Sequence, residues 1–223
     1  MNPIFKNVSF GDIRTFDDLG LILVDQDVQP AEPKLNLIEV PGANGSIDLT
    51  EALGVGIKYN DRVIEWSFAV NPKCDMERKS SEVSGLLNGR RFEITIAGDE
   101  EHYFNGRVSV QSHNTGRKVR TIKIRAVCAP YKLHKVAKKI TKTVSTTEQT
   151  ITLINDRMPV APTIAATGGD IRVILGTESA IFEAGTVRID PAITLQPGIN
   201  ELKIKAMDSS ATSIAFEWRE GAL

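Results

Sequence analysis

Few side chains in this 223-residue chain are suited to acid, base or metal chemistry. The three histidines, His102, His113 and His134, are far apart in sequence, and neither they nor Cys74 and Cys128 show the spacing that metal ligands adopt. The run Asp99-Glu100-Glu101 sets carboxylates side by side, the type of pair that glycoside hydrolysis uses. Directly after Gly98, it reads as a solvated hairpin loop. Gly168-Gly169-Asp170 has no helix after it to hold a phosphate, and reads as a turn. No G-x-S-x-G, H-E-x-x-H or G-x-x-x-x-G-K-[ST] occurs. The residues define no enzyme, and no cofactor or metal is expected. The two cysteines are expected as buried free thiols.

The charge pattern is more informative. Net charge is −1, so overall charge selects no partner, and 41% hydrophobic with 25% charged residues is the composition of a soluble globular protein. No apolar run approaches the roughly 20 residues of a membrane span, and the first residues lack the pattern of a signal peptide. Within the chain the charges separate. Asp12, Asp17, Asp18, Asp25, Asp27, Glu32, Glu39, Asp48 and Glu51 are opposed only by Arg14 and Lys34, whereas residues 102–147 contain lysines and arginines but no carboxylate. Such a split neutralises itself inside one fold or between copies, or it attracts a polyanion. Nucleic-acid binding would also need stacking aromatics, and only Tyr103, Phe104 and Tyr131 lie near the basic residues.

The elements that must position these residues are mostly strands. Residues 4–10 and 34–40 read as strands, and Pro41-Gly42-Ala43-Asn44-Gly45 as a turn in which Asn-Gly supplies positive φ. Ile47-Asp48-Leu49 pairs back across it. Ile64, Trp66, Phe68 and Val70 alternate on one face of a half-buried strand. The spacing of Met76, Val83, Leu86 and Leu87 predicts a helix over 75–88, capped by Asp75 and closed by Gly89. Strands over 91–97, 102–111 and 118–129 follow, and then a basic stretch, YKLHKVAKKITK, that reads as an inter-domain connector or the start of a new edge strand. Beyond it, short β-prone segments at 150–154, 160–165, 171–175, 180–183, 186–189, 192–195, 199–206 and 213–218 alternate with turns, the pattern of a β-sandwich. Trp218 alternates with Phe216 and reads as core rather than as an exposed stacking platform.

In this order the segments resemble the distal tail proteins of long, non-contractile-tailed bacteriophages. The resemblance is carried by FGDIRTFDDLGLILVDQDVQPAEPKLNLIEVPGANGSIDLTEALG, then IKYNDRVIEWSF, SGLLNGRRFEITI, HYFNGRVSV and AVCAPYKL, and covers residues 1 to about 133. Pro-Gly-x-x-Gly-x-x-Asp-Leu-Thr followed by Tyr-x-x-Arg is its most specific piece. A weaker match continues through Met158-Pro159-Val160-Ala161-Pro162, Leu195-Gln196-Pro197-Gly198-Ile199-Asn200 and Trp218-Arg219-Glu220-Gly221.

The resemblance implies a mainly β protein with one helix. An α+β, β-sandwich-like ring-forming domain (1–133) would precede a galectin-like β-sandwich (134–223). It implies a hexameric ring at the virion tail tip, made in the host bacterial cytoplasm and without membrane insertion. The ring would join the tail tube protein to the tail-tip hub, around a channel traversed by tape-measure protein and DNA. About 90 residues in the second half leave no room for an added sugar-binding module. The charge split then gains a use, since ring neighbours meet through unlike surfaces. Asp12, Asp17, Asp18, Asp48, Arg62, Lys118 and Arg120 are the residues expected at that contact, with Gly42, Asn44 and Gly45 shaping the turn. A sugar-binding sandwich, a nucleic-acid-contacting protein and a tail tube protein are the competing readings.

Overall fold

A computed structural model describes residues 6–52, 56–114, 120–208 and 212–223, residues 112–114 by backbone alone. Ile4, Arg117, Lys118 and the Thr115-Gly116 part of the expected turn lie outside the described residues. The chain forms two compact units, Met1–Lys132 and Leu133–Ala222.

In the first unit a turn through Gly11 joins β1 (Ser9–Phe10) to β2 (Ile13–Arg14). The strand expected over 4–10 is shorter because Thr15, fully buried, takes both backbone groups of Val8. Thr15 Oγ1 accepts from Val8 N, and Thr15 N donates to Val8 O. Then come β3 (Leu21–Val28), a short pair β4 (Leu37–Glu39) and β5 (Ser46–Asp48), β6 (Arg62–Val70), helix α1 (Met76–Leu87), β7 (Arg91–Thr95), β8 (His102–Asn114) and β9 (Thr121–Cys128). The main sheet runs β2–β1–β7–β8–β9–β6–β3, with every neighbouring pair antiparallel. Strand β10 (Lys132–His134) spans the boundary between units.

One face of this sheet is apolar. Leu21, Ile64, Trp66, Phe68, Ile94, Phe104, Val108, Ile122, Ile124 and Ala126 form its core with Met76, Val83 and Leu87 of the helix. Each such side chain contributes about 1.5–3 kcal/mol on full burial. The helix begins where expected, with Asp75 Oδ1 accepting from Glu77 N (3.0 Å) and Arg78 N (3.3 Å). It ends at Gly89, whose φ of 74° suits glycine alone.

Strand β3 has no counterpart in the sequence reading. Its pairing to β6 shifts register between Leu23 and Asp25. Leu21 and Leu23 face inward before this bulge, and Gln26 and Val28 after it, so the period of two is broken and Val24 is left 59% exposed. Gln26 is the polar member of the inward set. Its Oε1 accepts from Trp66 Nε1 and Ala97 N, both at 3.1 Å, while Nε2 donates to Ala97 O.

Cys128 is buried, but Cys74 is exposed, which corrects the expectation of two buried thiols. Burial, partly opposed by the nearby Arg62 charge, pushes the Cys128 thiol up to about 12, so it stays protonated and unreactive at neutral pH. A Cβ added at Gly106 would meet Cys128 Sγ at 2.4 Å and Val127 O at 3.1 Å. Gly106→Ala is therefore expected to destabilise the unit by about 1–3 kcal/mol through overpacking. A second change, Cys128→Ala, should recover part of that loss in a denaturant melt.

The second unit consists of β11 (Lys138–Val144), β12 (Gln149–Asn155), β13 (Thr163–Thr167), β14 (Ile171–Leu175), β15 (Glu178–Phe182), β16 (Val187–Ile189), β17 (Gly198–Ala206), β18 (Thr212–Trp218) and β19 (Gly221–Ala222). Two four-stranded sheets, β11–β18–β13–β16 and β12–β17–β14–β15, enclose one core that includes Leu153, Ile164, Val173, Phe182, Leu202, Ile204, Phe216 and Trp218. Residues 192–195 form no strand. Ile193 and Leu195 are buried in a loop held by a single bridge, Val160↔Leu195, and Pro159, Pro162 and Pro191 cannot donate to a longer ladder. Within Leu195-Gln196-Pro197-Gly198-Ile199-Asn200, Asn200 ties the turn together. Its amide donates to Gln196 O (2.8 Å) and its Oδ1 accepts from Gln196 N (2.8 Å).

Candidate functional site

The β3–β6 pair does not stop at the edge of the core. Gln29 N donates to Val63 O, Asn60 N to Glu32 O, Lys34 N to Lys58 O and Leu49 N to Asn36 O, with Pro33 bridged to Tyr59. The ladder then continues as β4–β5, in register Leu37↔Asp48, Ile38↔Ile47 and Glu39↔Ser46. The result is a two-stranded arm that reverses at 41–45. Gly42 (φ 81°) and Gly45 (φ 76°) make the reversal. Asn44 lies within the reversal without a positive φ, and glycine takes both left-handed positions at no steric cost.

Every residue from 32 to 48 is exposed. Alternation puts Ile38, Val40 and Ile47 on one side of the arm and Leu35, Leu37, Glu39 and Asp48 on the other. Ile38 is 47% and Ile47 54% exposed. A two-stranded hairpin without a packed face is marginal in water, and a contiguous exposed apolar patch marks an interaction surface.

The outward face of the main sheet carries the charge split. Successive strands present Asp25 and Asp27 on β3, Glu65 on β6, Lys123 and Arg125 on β9, Arg107 on β8 and Arg91, with Glu93, on β7. The sign changes across the sheet, from acidic at the β3 edge to basic towards β7. Glu65 and Arg125 pair at 3.5 Å. Among the described residues no ion pair joins a carboxylate of 12–51 to a cation of 102–147. Arg125, Lys132, Lys138 and Lys139 pair instead with Glu65, Asp99, Glu220 and Glu217, and Asp17 with Arg14.

The residues expected at a contact are not gathered in one place. Asp12, Asp17 and Asp18 sit by β2 at one edge of the sheet, and Asp48 sits on the arm that extends from the opposite edge. Asp17 pairs with Arg14 (3.5 Å), and Asp18 Oδ2 accepts from Arg14 N (2.7 Å), so both also shape their own loop. Asp48 Oδ1 accepts from Thr50 N, and its hydrogen bonds to Thr50 hold the carboxyl below its usual range. Arg120 donates to Cys74 O (3.0 Å), tying the start of β9 to the approach to the helix. Lys118 lies outside the described residues. Arg62 requires correction. It is only 6% exposed, stacks its guanidinium 5.2 Å from the Phe104 ring centroid and leaves Nε without a partner, so it offers a neighbour almost no surface.

Asp99 also differs from the sequence reading. It is no solvated loop carboxylate: Oδ1 meets His102 Nδ1 at 2.7 Å and Oδ2 meets Lys132 Nζ at 2.5 Å. Burial alone would raise its pKa, but the hydrogen bonds and charges of Lys132 and His102 outweigh that and hold it below the ordinary value. A carboxylate with a lowered folded-state pKa contributes stability above its unfolded pKa of about 3.9 and loses it as pH falls through the folded value. Asp99→Asn should therefore cost stability at pH 7 and make little difference at pH 2, as urea melts at the two pH values would show. Among the described residues no cluster of His, Cys, Asp or Glu is placed to hold a metal ion, and no helix is long and apolar enough to cross a membrane.

An antiparallel sheet with one helix, an arm drawn out of its edge and a separate β-sandwich define the class: a two-unit, mainly β protein. Searched against solved structures, the chain matches SPP1 Dit, whose crystal structure is described as a paradigm of the hub adsorption apparatus in phages that infect Gram-positive bacteria. The TM-score is 0.68 over 99% of this chain and 100% of that one, at 16% sequence identity, so the chain has a Dit-type fold. No family model and no curated protein matches the sequence.

Proposed function

We propose that this chain is a structural component of a phage tail, a distal tail protein that closes into a hexameric ring joining the tail tube to the tail-tip hub. The observation that carries the proposal is the arm. It is a two-stranded excursion on which Leu35, Leu37, Ile38, Val40 and Ile47 are exposed, and a partner seated on it would bury them. The Dit-type fold supports the tail role, and the change of sign across the outward face of the sheet supports a second copy as partner. A patch at one edge that meets a different patch on the next copy is a heterologous contact, and it makes a ring when the rotation closes. The tape-measure protein and DNA would pass through that ring. The second unit favours no sugar-binding role, because Trp218 is 3% exposed and presents no stacking face. Negative-stain class averages of the purified protein test the reading: six-fold annular particles support it, and open-ended filaments favour a tail tube protein instead.

A further inference from the structure

The outward face of the sheet also holds a pocket that the ring reading does not by itself require. Arg91 on β7 and Arg107 on β8 are directly opposite each other in register. Like charges in that position destabilise a sheet, and the usual remedy is a carboxylate between them. None is in place. Arg107 donates to Gly89 O at 2.6 Å, which occupies one of its amino groups, and Arg91 makes no ion pair or hydrogen bond among the described residues. Arg91 and Arg107 line a cavity of about 270 Å³ with Asp61, Asn105, Val127 and Ala129. Asp61 forms no ion pair with either arginine.

We propose that this cavity is a carboxylate-receiving site, and that its occupant is an acidic side chain from the arm of a second copy of this chain. The two guanidinium groups supply paired N–H donors of the geometry that a planar carboxylate accepts. Val127 and Ala129 supply an apolar wall for the stem of the incoming side chain, and Asn105 an amide. The arm offers a match. Glu39 is exposed, has no partner among the described residues, and shares its side of the arm with Leu35 and Leu37. A dianion such as phosphate fits less well, because Asp61 already brings one negative charge into the cavity. The inference rests on the proposed self-assembly and assigns that contact its charged anchor.

The test is self-association by mass photometry and sedimentation velocity. Arg91→Glu is expected to weaken association at least 30-fold while leaving the melting temperature unchanged or slightly raised, since the side chain is exposed and a glutamate opposite Arg107 replaces a like-charge pair. The same-chain charge swap, Arg91→Glu with Glu39→Arg, should restore at least a third of the wild-type affinity. Wild-type assembly with an unaffected Arg91→Glu variant, or a loss that Glu39→Arg does not rescue, would overturn the site and leave the ring reading standing. A wild-type chain that stays monomeric would overturn both. Inorganic phosphate that binds the wild type but not the variant, with association unchanged in Arg91→Glu, would show a small-anion site and overturn the carboxylate contact.

Discussion

Placing Ile38→Lys and Ile47→Glu together on the arm should leave the protein folded and abolish its assembly. The two positions are cross-strand partners, each about half exposed, and neither touches a buried core. Opposite charges directly across an antiparallel pair favour the hairpin by about 0.2–1 kcal/mol, so the arm itself should survive. Exposed substitutions of this type change stability by roughly 0.5 kcal/mol or less. Association is another matter. Full burial of an isoleucine is worth about 1.5–3 kcal/mol, so completing the burial of two half-exposed ones contributes about 1.5–3 kcal/mol. Leaving two charges in an apolar contact adds several kcal/mol of desolvation cost. Assembly should weaken by about three orders of magnitude or more, since each 1.4 kcal/mol is tenfold. Sedimentation velocity reads this directly, and an unchanged melting curve excludes unfolding as the cause.

The largest effect on stability belongs to Trp66. It is 1% exposed, packs edge-on against Phe10 at 5.4 Å between ring centroids and donates its indole N–H to Gln26. Trp66→Ala should cost about 3–5 kcal/mol from lost transfer energy and the cavity left behind. That is a large part of the 5–15 kcal/mol that holds a typical domain together. Trp66→Phe keeps most of the ring volume, and Gln26 Oε1 retains Ala97 N as a donor, so its cost should fall to about 1–2 kcal/mol. Gln26→Leu should cost about 1–3 kcal/mol, because it strands the buried indole donor. Urea denaturation of the three variants gives the ranking, and equal losses for Trp66→Phe and Trp66→Ala would show that the indole N–H, rather than packing, dominates.

What the sequence made legible follows from physics that acts locally. Strand β6 was readable because Ile64, Trp66, Phe68 and Val70 keep a strict period of two. The helix was readable because Asp75 and Gly89 bracket it. Strand β14 coincides with the segment expected over 171–175. Strand β3 was hidden by its bulge, which moves the inward set from Leu21 and Leu23 to Gln26 and Val28 and makes a polar residue part of the inner face. Arg62 misled for a related reason. A charged residue beside Asp61 reads as surface, and only the tertiary structure supplies the Phe104 ring beneath it. The arm was legible as a hairpin but not as an exposed one, because alternation in Leu35, Leu37 and Glu39 looks the same whether the apolar side meets the chain's own core or a neighbour. The Arg91–Arg107 pocket depends on the β7–β8 register, which no local pattern encodes.

The central claim is that one copy of this chain is completed by another through the arm. Native mass spectrometry of the purified full-length protein, beside the Ile38→Lys/Ile47→Glu variant, tests it most directly. A discrete closed oligomer of six chains is expected for the wild type and a monomer for the variant. A wild-type protein that remains monomeric at tens of micromolar, or a variant that assembles as the wild type does, would contradict it.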